Sequence, residues 1–317
     1  MIPEYLMYKL CGVKAKEFTN ATTMGLVNAD TLEIDREIVN RLGLPAHLFP
    51  KLQHPGTVIG AYEGIRVMLC ATHDTGSAVE GIPMEGEALY LSSGTWSLLG
   101  VENEAPVTSE ESRLANFTNE GGAWYRYRYL KNIMGLWMIQ SVRRELNGVS
   151  YVQGKSARAG TGKTWSFPDL IAEAEQAEGF TARVDVNRPC FMAPESMIGA
   201  IRDECARTGQ PVPETVGQIM QCIYTSLADC YRQAIEGLSA LTGKTYTSIN
   251  IVGGGCQDGY LNRRTAKATG LTVFAGPVEG TAIGNLIVQL IAGGETENLQ
   301  TARDLVRRSF DIKEVSQ

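Results

Sequence analysis

An α/β fold is predicted for this chain, on three observations. Residues 248–292 read as strand, glycine-rich turn, helix, strand and helix in succession. Residues 213–242 carry one apolar stripe at helical spacing, from Val216 through Ile219, Met220, Ile223 and Leu227 to Leu238. Residues 88–101 read as two short strands joined at Ser92-Ser93-Gly94.

The other elements follow in order. Residues 3–10 predict a short helix, with Pro3 in its first turn and Gly12 behind it. Residues 34–43 predict a second, closed by Gly43. A loop with a short strand spans 46–62. The apolar run at 66–71 predicts a buried strand, followed by a polar turn and a short helix that Gly81 and Pro83 stop. The polar stretch 84–87 marks a domain boundary, dividing the chain into 1–85 and 86–317. Residues 130–146 have helical periodicity in Leu130, Ile133, Met134, Trp137, Met138 and Val142, with Asn147-Gly148 as the stop. An exposed loop is expected at 150–165, and helices at 167–177 and 195–207. Pro213 suits the start of the long helix and Gly243 its end. Strand 248–252, helix 258–268, strand 271–275, helix 279–292 and a last helix at 299–308 complete the chain.

Composition excludes several functions. The 317 residues allow one large or two ordinary domains, and 44% hydrophobic with 20% charged residues suits a packed core. A formal net charge of −6 argues against a nucleic-acid partner. Lys131, Arg143 and Arg144, and the pair Arg307-Arg308, read as solvated helix faces. The seven cysteines are odd in number and form no C-x-x-C, and none of the three histidines has zinc spacing to one. Reduced thiols in the cytoplasm, with no metal site, are the expectation. The start MIPEYLMYKL has neither the basic lead nor the apolar run of a signal peptide, and no stretch is long enough to span a membrane. The four tryptophans, Trp96, Trp124, Trp137 and Trp165, read as core or half-buried packing.

Four segments can carry chemistry. Thr72-His73-Asp74-Thr75-Gly76 puts a carboxylate just past a strand end, where open α/β sheets bind ligands. Asp74 there can accept a proton from an attacking hydroxyl, or can simply cap helix 75–81. The bend at Ser92-Ser93-Gly94-Thr95 can aim backbone N–H groups and hydroxyls at a phosphate, or can be an ordinary turn. Gly253-Gly254-Gly255 between strand and helix lets a nucleotide approach the backbone closely, yet matches no dinucleotide fingerprint and no Walker loop. Asn119-Glu120-Gly121-Gly122 precedes Asn132 and Gln140, which fall roughly 12 Å apart if they share one helix.

Taken together and in this order, these segments resemble a known family. THDTGSAVEGIP, YLSSGTWSLLGVE, NFTNEGG, YRYLKNIMGLWMIQ, SINIVGGGCQDGYLN and AGPVEGTAIGNLIVQL are similar to motifs of the FGGY family of carbohydrate kinases, and within it of the rhamnulokinases. MIPEYLMYKLCGV, TNATTMGLVN and HPGTVIG extend the resemblance over nearly the whole chain. It implies two actin-like (ribonuclease-H-like) domains with the active site between them: a complete C-terminal domain and the tail end of an N-terminal one. The implied reaction moves the γ-phosphoryl group of ATP, with Mg²⁺, to the 1-hydroxyl of L-rhamnulose. Carried over by motif, Asp74 is the catalytic base. His73, Thr75 and Asn132 contact the sugar, and Thr95, Gln140 and Gly254 contact the nucleotide. L-fuculokinase or another sugar kinase of the family is the rival reading, as is a non-catalytic nucleotide- or sugar-binding module. The family's opening phosphate hairpin has no counterpart before Met1. The chain alone is therefore expected to turn over poorly, and to self-associate or be unstable through an uncovered lobe.

Overall fold

The computed structural model describes residues 1–149 and 162–316; residues 150–161 of the expected loop lie outside them. α1 (Ile2–Cys11) has Pro3 in its first turn and ends at Gly12, whose φ of 73° is the left-handed conformation a helix stop favours. α2 (Phe18–Ala21) and α3 (Arg36–Arg41) follow. α3 is shorter than its predicted span because Asp35 caps it, accepting from the Ile38 N–H. Phe18, Ala21, Ile34, Val39 and Leu52 form a small core here.

β1 (Val58–Tyr62) and β2 (Ile65–Met68) form an antiparallel hairpin. The buried strand predicted at 66–71 is corrected: β2 stops at Met68 and its first half is exposed, while burial begins only at Leu69, Cys70 and Ala71. β1 is the one strand paired with β2 among the described residues, so no sheet encloses it. Ile2, Tyr5 and Leu6 of α1, with Val58, Tyr62 and Ile65 of the hairpin, are exposed. The helix after this strand is α4 (Asp74–Glu80).

The rest of the chain builds one large sheet. Its elements are β3 (Ala88–Ser93), β4 (Trp96–Asn103), α5 (Glu110–Leu114), β5 (Thr118–Gly121), β6 (Tyr127–Met134) and α6 (Trp137–Leu146). α7 (Phe167–Gln176), α8 (Met197–Arg207) and the long α9 (Val216–Thr242) come next. Then follow β7 (Ser248–Val252), α10 (Gly259–Thr269), β8 (Thr272–Ala275), α11 (Gly280–Ala292), α12 (Leu299–Ser309) and β9 (Lys313–Val315). Thr215, not Pro213, caps α9, and the predicted stop at Gly243 holds, with φ 70°.

The helix predicted over 130–146 is also corrected. Residues 127–134 form β6, and α6 starts only at Trp137. β6 lies between β4 and β5 and pairs antiparallel with both. A side chain at Gly135 would crowd the Ser97 amide to 2.7 Å, so the chain turns there against β4. Asn132 and Gln140 therefore do not share a helix.

Sheet order is β5-β6-β4-β3-β7-β8-β9. β3, β7 and β8 run parallel, and the remaining pairs are antiparallel. One face carries the main core, where Leu89, Leu91, Tyr129 and Ile249 meet Met138, Ile223, Leu227 and Tyr231 of α6 and α9. On the other, Ala78 and Val79 of α4 pack with Tyr90, Leu130 and Val252. Helices on both faces bury the central parallel strands.

Candidate active site

Two parallel strands end side by side. β3 pairs with β7 in register from Ala88↔Ser248 to Ser92↔Val252, so the serine bend and the triple glycine meet at the same sheet edge. This is the carboxyl end of the parallel strands, where α/β sheets bind ligands. Contact between the two loops is tight: a Cβ on Gly255 would collide with the Ser93 hydroxyl, and one on Gly253 would come within 2.8 Å of the Ser93 carbonyl oxygen. Gly253 also has φ 82°, a conformation few side-chain-bearing residues adopt. Gly254 differs from both, because a Cβ there would meet only open space. The glycines flanking it seat the turn on β3, and the middle one offers bare backbone to a ligand. The Ser93 hydroxyl beside it is buried and has no hydrogen-bond partner among the described residues.

α4 points its first turn at this edge. Its N-cap is His73, not Asp74; Asp74 is the first helical residue, and its side chain is 80% exposed. The capping alternative is thereby removed: the Asp74 carboxylate accepts only from its own neighbour Thr75, from the N–H at 2.7 Å and the hydroxyl at 3.4 Å, and extends outward. Three neighbours pin this turn. Glu17 is buried and accepts from the Thr72 N–H at 3.1 Å and the Thr72 hydroxyl at 2.7 Å. Burial raises the Glu17 pKa above the usual carboxylate range, although four hydrogen bonds oppose the shift. The Thr281 hydroxyl donates to the Asp74 carbonyl at 3.2 Å, and the Ser77 hydroxyl donates to the Thr281 carbonyl at 2.7 Å. Arg128 reaches His73 from below, its Nη2 lying 2.8 Å from Nδ1.

Strand register brings Asn132 to the same place. It pairs with Leu98 across β4, so both side chains face one side. One cleft of about 610 Å³ is lined by His73, Asp74, Thr75, Ser92, Gly94, Thr95, Trp96, Leu98 and Asn132. Five of the seven residues singled out from the sequence thus line one cleft. Gly254 lies at the adjoining glycine turn and Gln140 stands off, half-buried on the first turn of α6. That turn is tied to the bend, since the Leu136 and Trp137 N–H groups donate to the Gly94 and Thr95 carbonyls at 3.1 Å each. Trp96 departs from its expected packing role: it is 44% exposed and forms a wall of the cleft. A second cavity, of about 870 Å³, shares Trp96 and Asn132 with it.

Sequence reasoning missed Glu17, Thr281 and Arg128. Each acts through a partner far along the chain, so its role does not follow from the residues around it: Arg128 and Thr281 stand inside segments quoted above, and Glu17 outside them. All seven cysteines are unpaired, and no cluster of metal-ligating side chains occurs among the described residues. No helix among them is long and apolar enough to cross a membrane.

A model of the C-terminal domain of FGGY family carbohydrate kinases matches residues 89–293. The chain belongs to the FGGY family of carbohydrate kinases. The family's N-terminal domain model matches residues 1–70. The chain is similar to the rhamnulokinase of Halalkalibacterium halodurans, at 44% identity over 99% of this chain and 66% of that protein. It also resembles the rhamnulokinase of Bacillus subtilis, at 39% identity over 99% of this chain and 64% of that protein. It spans less than two thirds of the length of these relatives. Among solved structures, a xylulose kinase from Lactobacillus acidophilus superposes with TM-score 0.71 at 14% identity, over 99% of this chain and 62% of that one. A Plasmodium falciparum glycerol kinase with ADP gives TM-score 0.71 at 14% identity, over 99% and 62% respectively. At such identities these likenesses show the fold, the actin-like architecture of FGGY sugar kinases.

Proposed function

We propose that this chain forms the catalytic-base wall and the nucleotide-contacting domain of an ATP-dependent ketose kinase that converts L-rhamnulose to L-rhamnulose 1-phosphate. One observation carries the reading: an exposed aspartate on a helix N-terminus opens into the same cleft as Thr95 of the bend and Asn132 of β6. The names of the relatives, at 39% to 44% identity, support the choice of sugar.

In this reading Asp74 accepts the proton of the sugar's 1-hydroxyl as its oxygen bonds to the γ-phosphorus. The bond from that phosphorus to the bridging oxygen breaks, and ADP leaves. Such a transition state needs alignment and charge neutralisation more than covalent chemistry. His73, Thr75 and Asn132 hold the sugar; Thr95, Gly254 and Gln140 hold the nucleotide. The open face of Gly254 and the unpartnered Ser93 hydroxyl suit phosphate oxygens, which accept hydrogen bonds. Mg²⁺ belongs to the co-substrate, carried on its phosphates, as that ion commonly is.

We place the division between an N-terminal portion, 1–85, and a C-terminal domain, 86–317, in the turn before β3; the family's two domain models, matching 1–70 and 89–293, support it. α4 then reaches across it onto the large sheet, tying the base to the nucleotide-binding domain. The exposed apolar residues of α1 and the hairpin support self-association through that face. The free thiols and the use of ATP support a cytoplasmic setting.

The test offers ATP and Mg²⁺ to the purified chain with L-rhamnulose, L-fuculose, D-xylulose or glycerol, followed by phosphorus NMR. A 1-phosphate ester forming fastest on L-rhamnulose, with matching release of ADP, is the expected result. A preference for L-fuculose would move the chain to the rival kinase. No ester with any acceptor, while nucleotide binds, would favour the non-catalytic module.

A further inference from the structure

We propose that Arg128 is a positioning residue for Asp74, acting by locking the His73 imidazole in one tautomer and one orientation beside the carboxylate. The proposal rests on the reading of Asp74 as proton acceptor.

Arg128 is fully buried. A guanidinium in that position is costly unless its donors are used. Here they tie the end of β5 to His73, the N-cap of α4. Nε and Nη2 donate to the Gly121 carbonyl at 3.2 and 3.1 Å, and Nη2 also lies 2.8 Å from His73 Nδ1. Nη1 sits 3.0 Å from Glu120 Oε2, an ion pair whose alignment falls short of a hydrogen bond. Gly76 packs over this group: a Cβ there would stand in ordinary van der Waals contact with the guanidinium, at 3.4 to 3.5 Å. Helix α4 thus lies directly on the arginine.

A guanidinium has donors and no acceptor. His73 Nδ1 must therefore accept, which places the ring proton on Nε2. That atom is 3.5 Å from Asp74 Oδ1. Arg128 thus fixes the sense of the ring, which turns its Nε2–H edge toward the carboxylate without hydrogen-bonding to it. The charged groups facing the ring are Arg128 of β6, Glu120 of β5, 3.6 Å from Nδ1, and Asp74 of α4. Glu17 approaches only as far as Thr72. Burial first, then the Arg128 charge, hold the His73 pKa below its ordinary value, against the pull of Glu120 and Asp74. The ring is kept neutral next to the base. Lysine would supply the charge without the planar fork that reaches Gly121, His73 and Glu120 together.

Histidine tautomers are read by ¹⁵N NMR, and the chain has three histidines, so the His73→Gln spectrum assigns the signal. For the full wild-type chain the expected result is a neutral Nε2–H tautomer from pH 6 to pH 8. In Arg128→Lys we expect mixed tautomers and proton uptake at a higher pH. We also expect kcat to fall about 10²-fold, with an acid limb moved upward in pH and KM for ATP nearly unchanged. A wild-type ring that is Nδ1–H or doubly protonated overturns the proposal. So does Arg128→Lys with the tautomer retained and kcat lowered, because the residue would then be merely structural. If Arg128→Lys does not fold, the wild-type tautomer decides. A chain that transfers no phosphoryl group but shows the locked tautomer counts against the kinase reading and leaves the positioning intact.

Discussion

Gly284 of α11 has no side chain where it faces the Ser77 carbonyl of α4; a Cβ at that position would collide with the carbonyl oxygen and carbon. One turn away the same closeness recurs, since a Cβ on Gly81 would stand 2.7 Å from the Gly280 carbonyl oxygen. The two helices touch backbone to backbone, and the helix that presents Asp74 is thereby fixed against the one that follows β8. Gly284→Ala should force them apart and cost about 3 kcal/mol of stability, the scale of overpacking in a tight interior. Urea unfolding of the variant checks it. A midpoint equal to wild type would mean that the helix pair is loose.

Gly254 invites the opposite experiment. A Cβ there meets nothing, and the backbone is not in the left-handed region, so Gly254→Val should fold normally. If this bare backbone is where phosphates approach, the branched side chain blocks them. We expect nucleotide affinity to drop by roughly 10-fold or more, about 1.4 kcal/mol, with an unchanged unfolding midpoint. Titration calorimetry with ADP reads the first and urea the second. Wild-type affinity in the variant would move the nucleotide elsewhere.

Glu80 closes the far end of α4 and is fully buried. Oε1 accepts from the Ala123 N–H at 3.0 Å, while Oε2 has no hydrogen-bond partner among the described residues. Burial, assisted by Glu102, pushes its pKa up from 4.5 to about 7. The folded chain therefore holds a proton that the unfolded chain releases, and this contribution to stability is complete below pH 4.5 and lost as pH rises through about 7. Glu80→Gln, a permanently neutral isostere, should match wild type near pH 4.5. It should become relatively more stable by pH 8, by up to about 3 kcal/mol. Comparing the two chains at each pH isolates this residue from other titrations. A constant difference across the range would contradict it.

The fold and the site were unequally legible. Strand–glycine–helix alternation after residue 248 and the α9 stripe stand plainly in the sequence, because local pattern and final structure agree. β6 does not, since it is buried on both faces through Leu130. Such a strand has no alternation to read, and its apolar residues run on at helical spacing into α6 across Gly135. The cleft residues were legible as motifs, but the reason Asn132 arrives there is strand register rather than a shared helix. Arg128 was illegible. It faces Glu120 across β5 and β6, and that pairing exists only once the register is known. The same holds for Glu17, whose partner Thr72 lies 55 residues on.

The claim that Asp74 is the proton acceptor is tested most directly by Asp74→Asn, with nucleotide affinity and single-turnover phosphoryl transfer measured on the same protein. The side chain is exposed and contributes little to packing, so the variant should fold and bind ADP like wild type. Transfer to the ketose should fall by about 10²–10⁴-fold, the range that general-base catalysis supplies. Transfer at the wild-type rate by a folded, nucleotide-bound Asp74→Asn chain would contradict the account.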